Sequence, residues 1–191
     1  MSRAAFDRRG MTLVELIVAL ALFAVITTVV IGFLTGSRRT YNATSDRAQY
    51  QQSLRAVFSL LAREIRSAGC DPAETGLDRL VVCEDDVLRC RMDLDGDGST
   101  LDLNPDEDIR YVYDAANEQL LRTTASGTMT ILRGVTSLQF RYFEDDGTPL
   151  LGTPLSADDR DRVRFVDIDI AGELPSGEPV SYATRIYLRN G

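Results

Sequence analysis

The chain has 191 residues, room for one domain or for a small domain with an appendage. Its 21 basic residues are all arginine, it contains no His or Trp, and its formal net charge is −8. No stripe of clustered positive charge is present, which argues against a sequence-independent grip on nucleic acid. The lack of His, of a Gly-rich phosphate loop and of a Cys flanked by a base argues against an enzyme.

The acidity is local. Residues 84–108 hold Glu84, Asp85, Asp86, Asp93, Asp95, Asp97, Asp102, Asp106, Glu107 and Asp108 against Arg89 and Arg91, an excess equal to the whole net charge.

Met1–Gly10 is short and polar, with Arg3, Arg8 and Arg9 against Asp7. From Met11 to Leu34 the chain is apolar with one ionisable side chain, Glu15. At about 1.5 Å per residue this run makes a helix of roughly 36 Å, enough to cross a bilayer. The arginines favour a cytoplasmic N-terminus, a bias weakened by Arg38 and Arg39 on the other side. Inside hydrocarbon, a lone carboxylate disfavours the lipid phase by roughly 2.5–3.5 kcal/mol. A secretory signal peptide cut after Ala19-Leu20-Ala21 would leave Leu22–Leu34 as an apolar terminus and place Glu15 inside its core. A plain membrane anchor accounts for the length of the run but not for the acid.

Beyond Gly36 the pattern turns amphipathic. Leu54, Val57, Phe58, Leu61, Ile65 and Ala68 recur at spacings of three and four, one face of a helix, with Arg55, Arg63, Glu64 and Arg66 largely off that face. Gly69 and Asp71-Pro72 give a stop signal. An unbroken helix over 11–68 would reach roughly 87 Å. Gly32 and Gly36 offer either a local bend or ordinary small residues for packing in lipid.

From Cys70 onward the period shortens to two. Strands are expected at 77–82, 87–92, 108–114, 119–124, 128–132, 137–143, 163–170 and 180–188. Within 163–170 the apolar positions change phase at Val166, where a β-bulge would keep both halves on one core. Such a sheet needs cover for its apolar face, and the Leu54–Ala68 stripe supplies it. The expected fold is therefore α+β, a long N-terminal helix packed against an antiparallel β-sheet head, divided as 1–10, 11–69 and 70–191.

Cys70, Cys83 and Cys90 all follow the apolar run. A disulfide is favoured between Cys70 and Cys83 over Cys83–Cys90, with three free thiols as the alternative. Zinc would be one ligand short. In the acidic region, Asp93-Leu94-Asp95-Gly96-Asp97-Gly98 has the D-x-D-x-D-G start of a calcium loop, but Asn104 stands where the bidentate Glu of that loop belongs. Asp93, Asp95, Asp97 and Asp102 are the candidate Ca²⁺ ligands in the 93–108 loop, where Asp102, Asp106 or Asp108 could substitute for the missing Glu only through a different loop closure. The competing reading is a solvated Asp/Gly-rich hairpin, and no cofactor is required.

Arg8-Arg9-Gly10-Met11-Thr12-Leu13-Val14-Glu15-Leu16 resembles the processing site of type IV pilins and type II secretion pseudopilins. The resemblance implies that Gly10 ends a leader removed by prepilin peptidase, that Met11 becomes an N-methylated terminus, and that Glu15 is the fifth mature residue. In that family the acid faces the terminal amine of a neighbouring subunit, a pairing that makes a buried charge tolerable. The stretch 108–150, with Tyr113-Asp114-Ala115-Ala116-Asn117 and Val135-Thr136-Ser137-Leu138-Gln139-Phe140-Arg141-Tyr142-Phe143, is similar to the heads of PilW-like minor pilins and J-type minor pseudopilins. The implied role is a minor pilin held in the bacterial inner membrane and inserted into a filament or its tip. A type II secretion pseudopilin and an adhesin or DNA-uptake subunit are the alternatives. The implied partners are other pilins or pseudopilins, prepilin peptidase and an inner-membrane assembly platform.

Overall fold

A computed structural model describes residues 12–174 and 176–190. Gly10 and Met11 lie outside the described residues. The chain divides into two units, one ending at Ser45 and the other running from Asp46.

The first unit is the opening stretch of helix α1, which spans Leu13–Ser67. Leu, Val, Ile and Ala fill it, and it is long and apolar enough to cross a membrane by length and composition. Four of its threonines turn back on the backbone. The hydroxyls of Thr28, Thr35, Thr40 and Thr44 each donate to the carbonyl four residues earlier, at 2.8–3.3 Å. Those four hydroxyls thereby leave no free donor on the helix surface. The helix continues through Gly32 and Gly36 without a break.

The second unit begins with the rest of α1 and builds two antiparallel sheets instead of the one expected. The first holds β1 (Leu80–Cys83), β2 (Val87–Arg91), β3 (Asp108–Asp114), β4 (Gln119–Thr124) and β5 (Gly127–Arg133), adjacent in chain order. The second holds β6 (Val135–Phe143), β7 (Pro149–Leu150), β8 (Phe165–Glu173) and β9 (Pro179–Tyr187), in the order β7-β6-β8-β9. A one-turn helix, α2 (Ala157–Arg162), precedes β8 and is capped by the Ser156 hydroxyl. Only Gly134 separates β5 from β6, and its φ of 69° lets the chain pass from one sheet to the other.

The apolar stripe of α1 meets both sheets. Leu54, Val57, Phe58, Leu61 and Ile65 share one core with Leu88 and Ile109 of the first sheet and Phe140, Ile168 and Ile186 of the second. Tyr50 pins the junction of the sheets: its hydroxyl donates to the Gly134 carbonyl at 3.2 Å. A Cβ on Gly172 would stand 2.0 Å from that hydroxyl oxygen, so glycine is required there. At the far end of α1, Nδ2 of Asn190 lies 3.5 and 3.4 Å from the Ser67 and Ala68 carbonyls, while the Asn190 carbonyl accepts Nη1 of Arg79 at 3.2 Å.

The bulge expected at Val166 is absent. The register of β8 with β6 runs unshifted from Phe165 to Ile170, and Phe165 simply faces outward. There its ring packs on Tyr187 at 5.2 Å, with the Arg185 guanidinium 5.7 Å away. The irregularity in that pairing lies instead between Val135 and Ser137, just after the Gly134 crossing.

Candidate functional site

At the start of α1, Thr12 and Glu15 cap each other. The backbone N–H and the hydroxyl of Thr12 both donate to Oε2 of Glu15 at 2.9 Å, and the Glu15 N–H donates to the Thr12 hydroxyl at 3.3 Å. This is the capping box encoded by Thr12-Leu13-Val14-Glu15, and it sets the carboxylate where the helix dipole favours negative charge. Thr12 supplies hydrogen bonds but no counter-charge. The apolar side chains that follow are exposed, from Leu13 through Phe23 to Leu34.

Glu64, expected largely off the apolar face, is buried and is a correction to that reading. It accepts a hydrogen bond from the Tyr111 hydroxyl of β3 and is held by Arg122 of β4, with Nη2 to Oε1 at 2.8 Å and Nε to Oε2 at 3.2 Å. Arg122 reaches on to Oδ2 of Asp106 at 3.0 Å. Burial and the Glu64 charge push the Tyr111 hydroxyl well above its ordinary range. For Arg122, burial works against the charge, but Glu64 and Asp106 outweigh it and raise its pKa. The signal was in the spacing: Val57, Leu61, Glu64 and Ala68 lie on one helical row.

The Asp-rich loop folds on itself and on Glu107, which the sequence reading did not include among its ligands. Asp93 accepts the N–H of Gly96 on Oδ1 at 2.6 Å and that of Gly98 on Oδ2 at 3.1 Å. Both glycines have positive φ, 79° and 80°, so the sharp turn suits them. Oε1 of Glu107 accepts the N–H of Leu94 and that of Asp95. One ligand oxygen each from Asp93, Asp95 and Glu107 lies within 4.8 Å of the others. Of the four expected aspartates, Asp93 and Asp95 therefore converge. Asp97 instead receives the Ser99 N–H at 2.7 Å. Asp102 has a buried Oδ2 with no hydrogen-bond partner among the described residues, as does Oε2 of Glu107. Burial pushes the Glu107 carboxyl above its ordinary range; the two N–H donors oppose this and the Asp95 and Asp102 charges add to it.

The thiols of Cys70, Cys83 and Cys90 are free, so the expected Cys70–Cys83 bond is not formed. Cys83 pairs opposite Leu88, whereas the Cys70 carbonyl accepts the N–H of Asp93. Five residues of extended chain separate those two points, roughly 16 Å, while a disulfide needs Cα atoms within about 7 Å. Burial pushes the Cys83 thiol up to about 12, and Cys90 rises for the same reason. Both are core thiols of low reactivity.

The long apolar-to-amphipathic helix with an antiparallel β head defines a pilin-like α+β architecture. Residues 6–31 match the family model of the prokaryotic N-terminal methylation motif. No curated protein matches the chain. The matched segment contains Gly10, Met11 and Glu15 and the opening turns of α1, and it supports a prepilin-type protein of the structural, pilin-like kind. The match ends well before the β head, which therefore gains no assignment from it.

Proposed function

We propose that the chain is a minor pilin of a type IV pilus. Prepilin peptidase cuts it after Gly10 and leaves Met11 as a methylated terminus. The 11–34 helix then holds it in the inner membrane, N-terminus inside, before an assembly platform moves it into the filament. The observation that carries this reading is Glu15: a carboxylate fixed by Thr12 at the head of an exposed apolar helix, inside a segment that matches the methylation motif. In lipid that charge is costly, and Thr12 gives it no opposite charge. The terminal amine of a neighbouring mature chain supplies one, so helix–helix association in the filament replaces lipid contact and pairs the acid.

A Glu15→Ala variant, followed in a piliated host by immunoblotting of membranes and sheared filaments, is expected to be processed but to enter filaments poorly. Normal incorporation would rule out the pairing. A deletion strain scored for both surface piliation and exoprotein release separates pilus from secretion: loss of piliation with normal release supports the minor pilin, and the reverse assigns the chain to a type II pseudopilus.

A further inference from the structure

The geometry points to a calcium site closed by Glu107, in which Asp93, Asp95 and Glu107 bind one Ca²⁺ and Asp102 completes the shell. Two observations carry it beyond the bare presence of acids. Ligand oxygens of Asp93, Asp95 and Glu107, from two separate stretches of chain, lie within 4.8 Å of one another. Glu107 is 0 % exposed, and while its Oε1 takes two backbone N–H groups, its Oε2 has no partner among the described residues. A buried carboxylate oxygen without a donor is strongly disfavoured, as is crowding three carboxylates in a partly desolvated place. A cation at the convergence point removes both penalties. Asp102, whose Oδ2 is also buried and unpartnered among the described residues, is not one of the three converging acids and would join them on binding.

The donor set selects the ion. All the donors are oxygen, which favours a hard cation. An irregular loop that can offer mono- and bidentate carboxylates suits the six to eight ligands of Ca²⁺ better than the strict octahedron of Mg²⁺. Glu107 takes the closing role that position twelve has in the usual loop, although it lies three residues further along.

The site is wired to the rest of the head. The N–H of Met92 donates to the Glu107 carbonyl at 2.9 Å and that of Asp93 to the Cys70 carbonyl at 2.7 Å, so the ion sits between the exit of α1 and the entry of β3. The preceding residue, Asp106, is bound by the Arg122 that holds Glu64 of α1. Calcium thus fastens the 93–107 loop to the strand that grips the helix, whichever machine the subunit serves.

The test uses the full chain in detergent micelles, stripped with EDTA, and CaCl₂ as the probe, read by titration calorimetry and by the thermal midpoint of the head. Calcium up to about 5 mM, above the range of extracellular calcium modules, is expected to bind with measurable heat and to raise the midpoint by several degrees. Glu107→Gln keeps the shape and is expected to weaken binding about tenfold or more, while melting in EDTA no lower than the wild type, because a buried charge has gone. Asp95→Asn, at an exposed residue, gives the same loss of binding without touching the core. No heat and no shift in the wild type, wild-type affinity in both variants, or an equal response to MgCl₂ would each overturn the assignment.

Discussion

Residues 13–34 and 54–65 of α1 carry the same kinds of apolar side chain and meet opposite fates. Leu13, Phe23 and Phe33 are 74 %, 68 % and 74 % exposed, whereas Leu61 and Ile65 are 0 % exposed. Apolar content alone therefore does not say what covers a helix. Distribution around the axis does: the first stretch is apolar all round and exposed among the described residues, while the second is apolar on one row and is covered by the strands that follow. Within that covered row, Glu64 adds a charged bond where the rest supply only packing.

The sharpest way to break the contrast is to take Glu64 away from the buried Arg122, which then keeps only Asp106 at its edge. Glu64→Ala is expected to destabilise the head by about 3–5 kcal/mol, read by urea unfolding of the full chain in micelles. Leu61→Ala, which opens a cavity between helix and sheets, is expected to cost about 2–4 kcal/mol in the same assay. Gly172→Ala forces a methyl into the Tyr50 hydroxyl and the Gly134 carbonyl, and an overpacking loss of about 1–3 kcal/mol is expected. Leu20→Ala, by contrast, should move the stability of the head by less than about 0.5 kcal/mol, because Leu20 is exposed. A loss as large as that of Leu61→Ala would erase the distinction between the two stretches.

A smaller effect sits on the first sheet. Burial by itself would raise the Asp108 carboxyl, but Arg89 at 2.6 Å and Arg91 at 2.9 Å pull it below its ordinary range. A depressed carboxyl stabilises the fold above its unfolded pKa and loses that contribution as pH falls through the folded value. Asp108→Asn is expected to cost about 1 kcal/mol at pH 7, discounted for the partly exposed arginines, with the difference from wild type starting to shrink near about pH 4 and gone once the folded-state carboxyl is protonated.

Much of the fold was legible because its signals are local. β3 and β4 fall where their alternation places them, at Asp108–Asp114 and Gln119–Thr124, and the Leu54–Ile65 row is the core face of α1. What escaped depends on distance along the chain. The split into two sheets hangs on Gly134, a single residue whose positive φ leaves no trace in a periodicity. α2 has no buried residue and reads as a run of solvated charges, Asp158-Asp159-Arg160-Asp161-Arg162. Val166 misled because an outward aromatic, Phe165, looks like core until Tyr187 is seen beneath it. At the acidic loop the motif gave Asp93 and Asp95, but a template counted along the sequence cannot find Glu107, which returns to the loop only because β3 pairs with β2. The Thr12–Glu15 cap was present in the sequence as a short pattern, overshadowed by the membrane question posed by the same residue.

The contact of Asn190 with the end of α1 bears on timing. The amide near Ser67 belongs to a residue 123 positions later, and Ile186 and Leu188, both buried, come just before it. A ribosome delivers the apolar row of α1 long before it delivers the strand that completes its cover. Contacts of such sequence separation make folding slow, so the Leu54–Ile65 face stays uncovered for much of synthesis. During that interval the row is apolar surface open to aggregation, and its cover is complete only when β9 arrives.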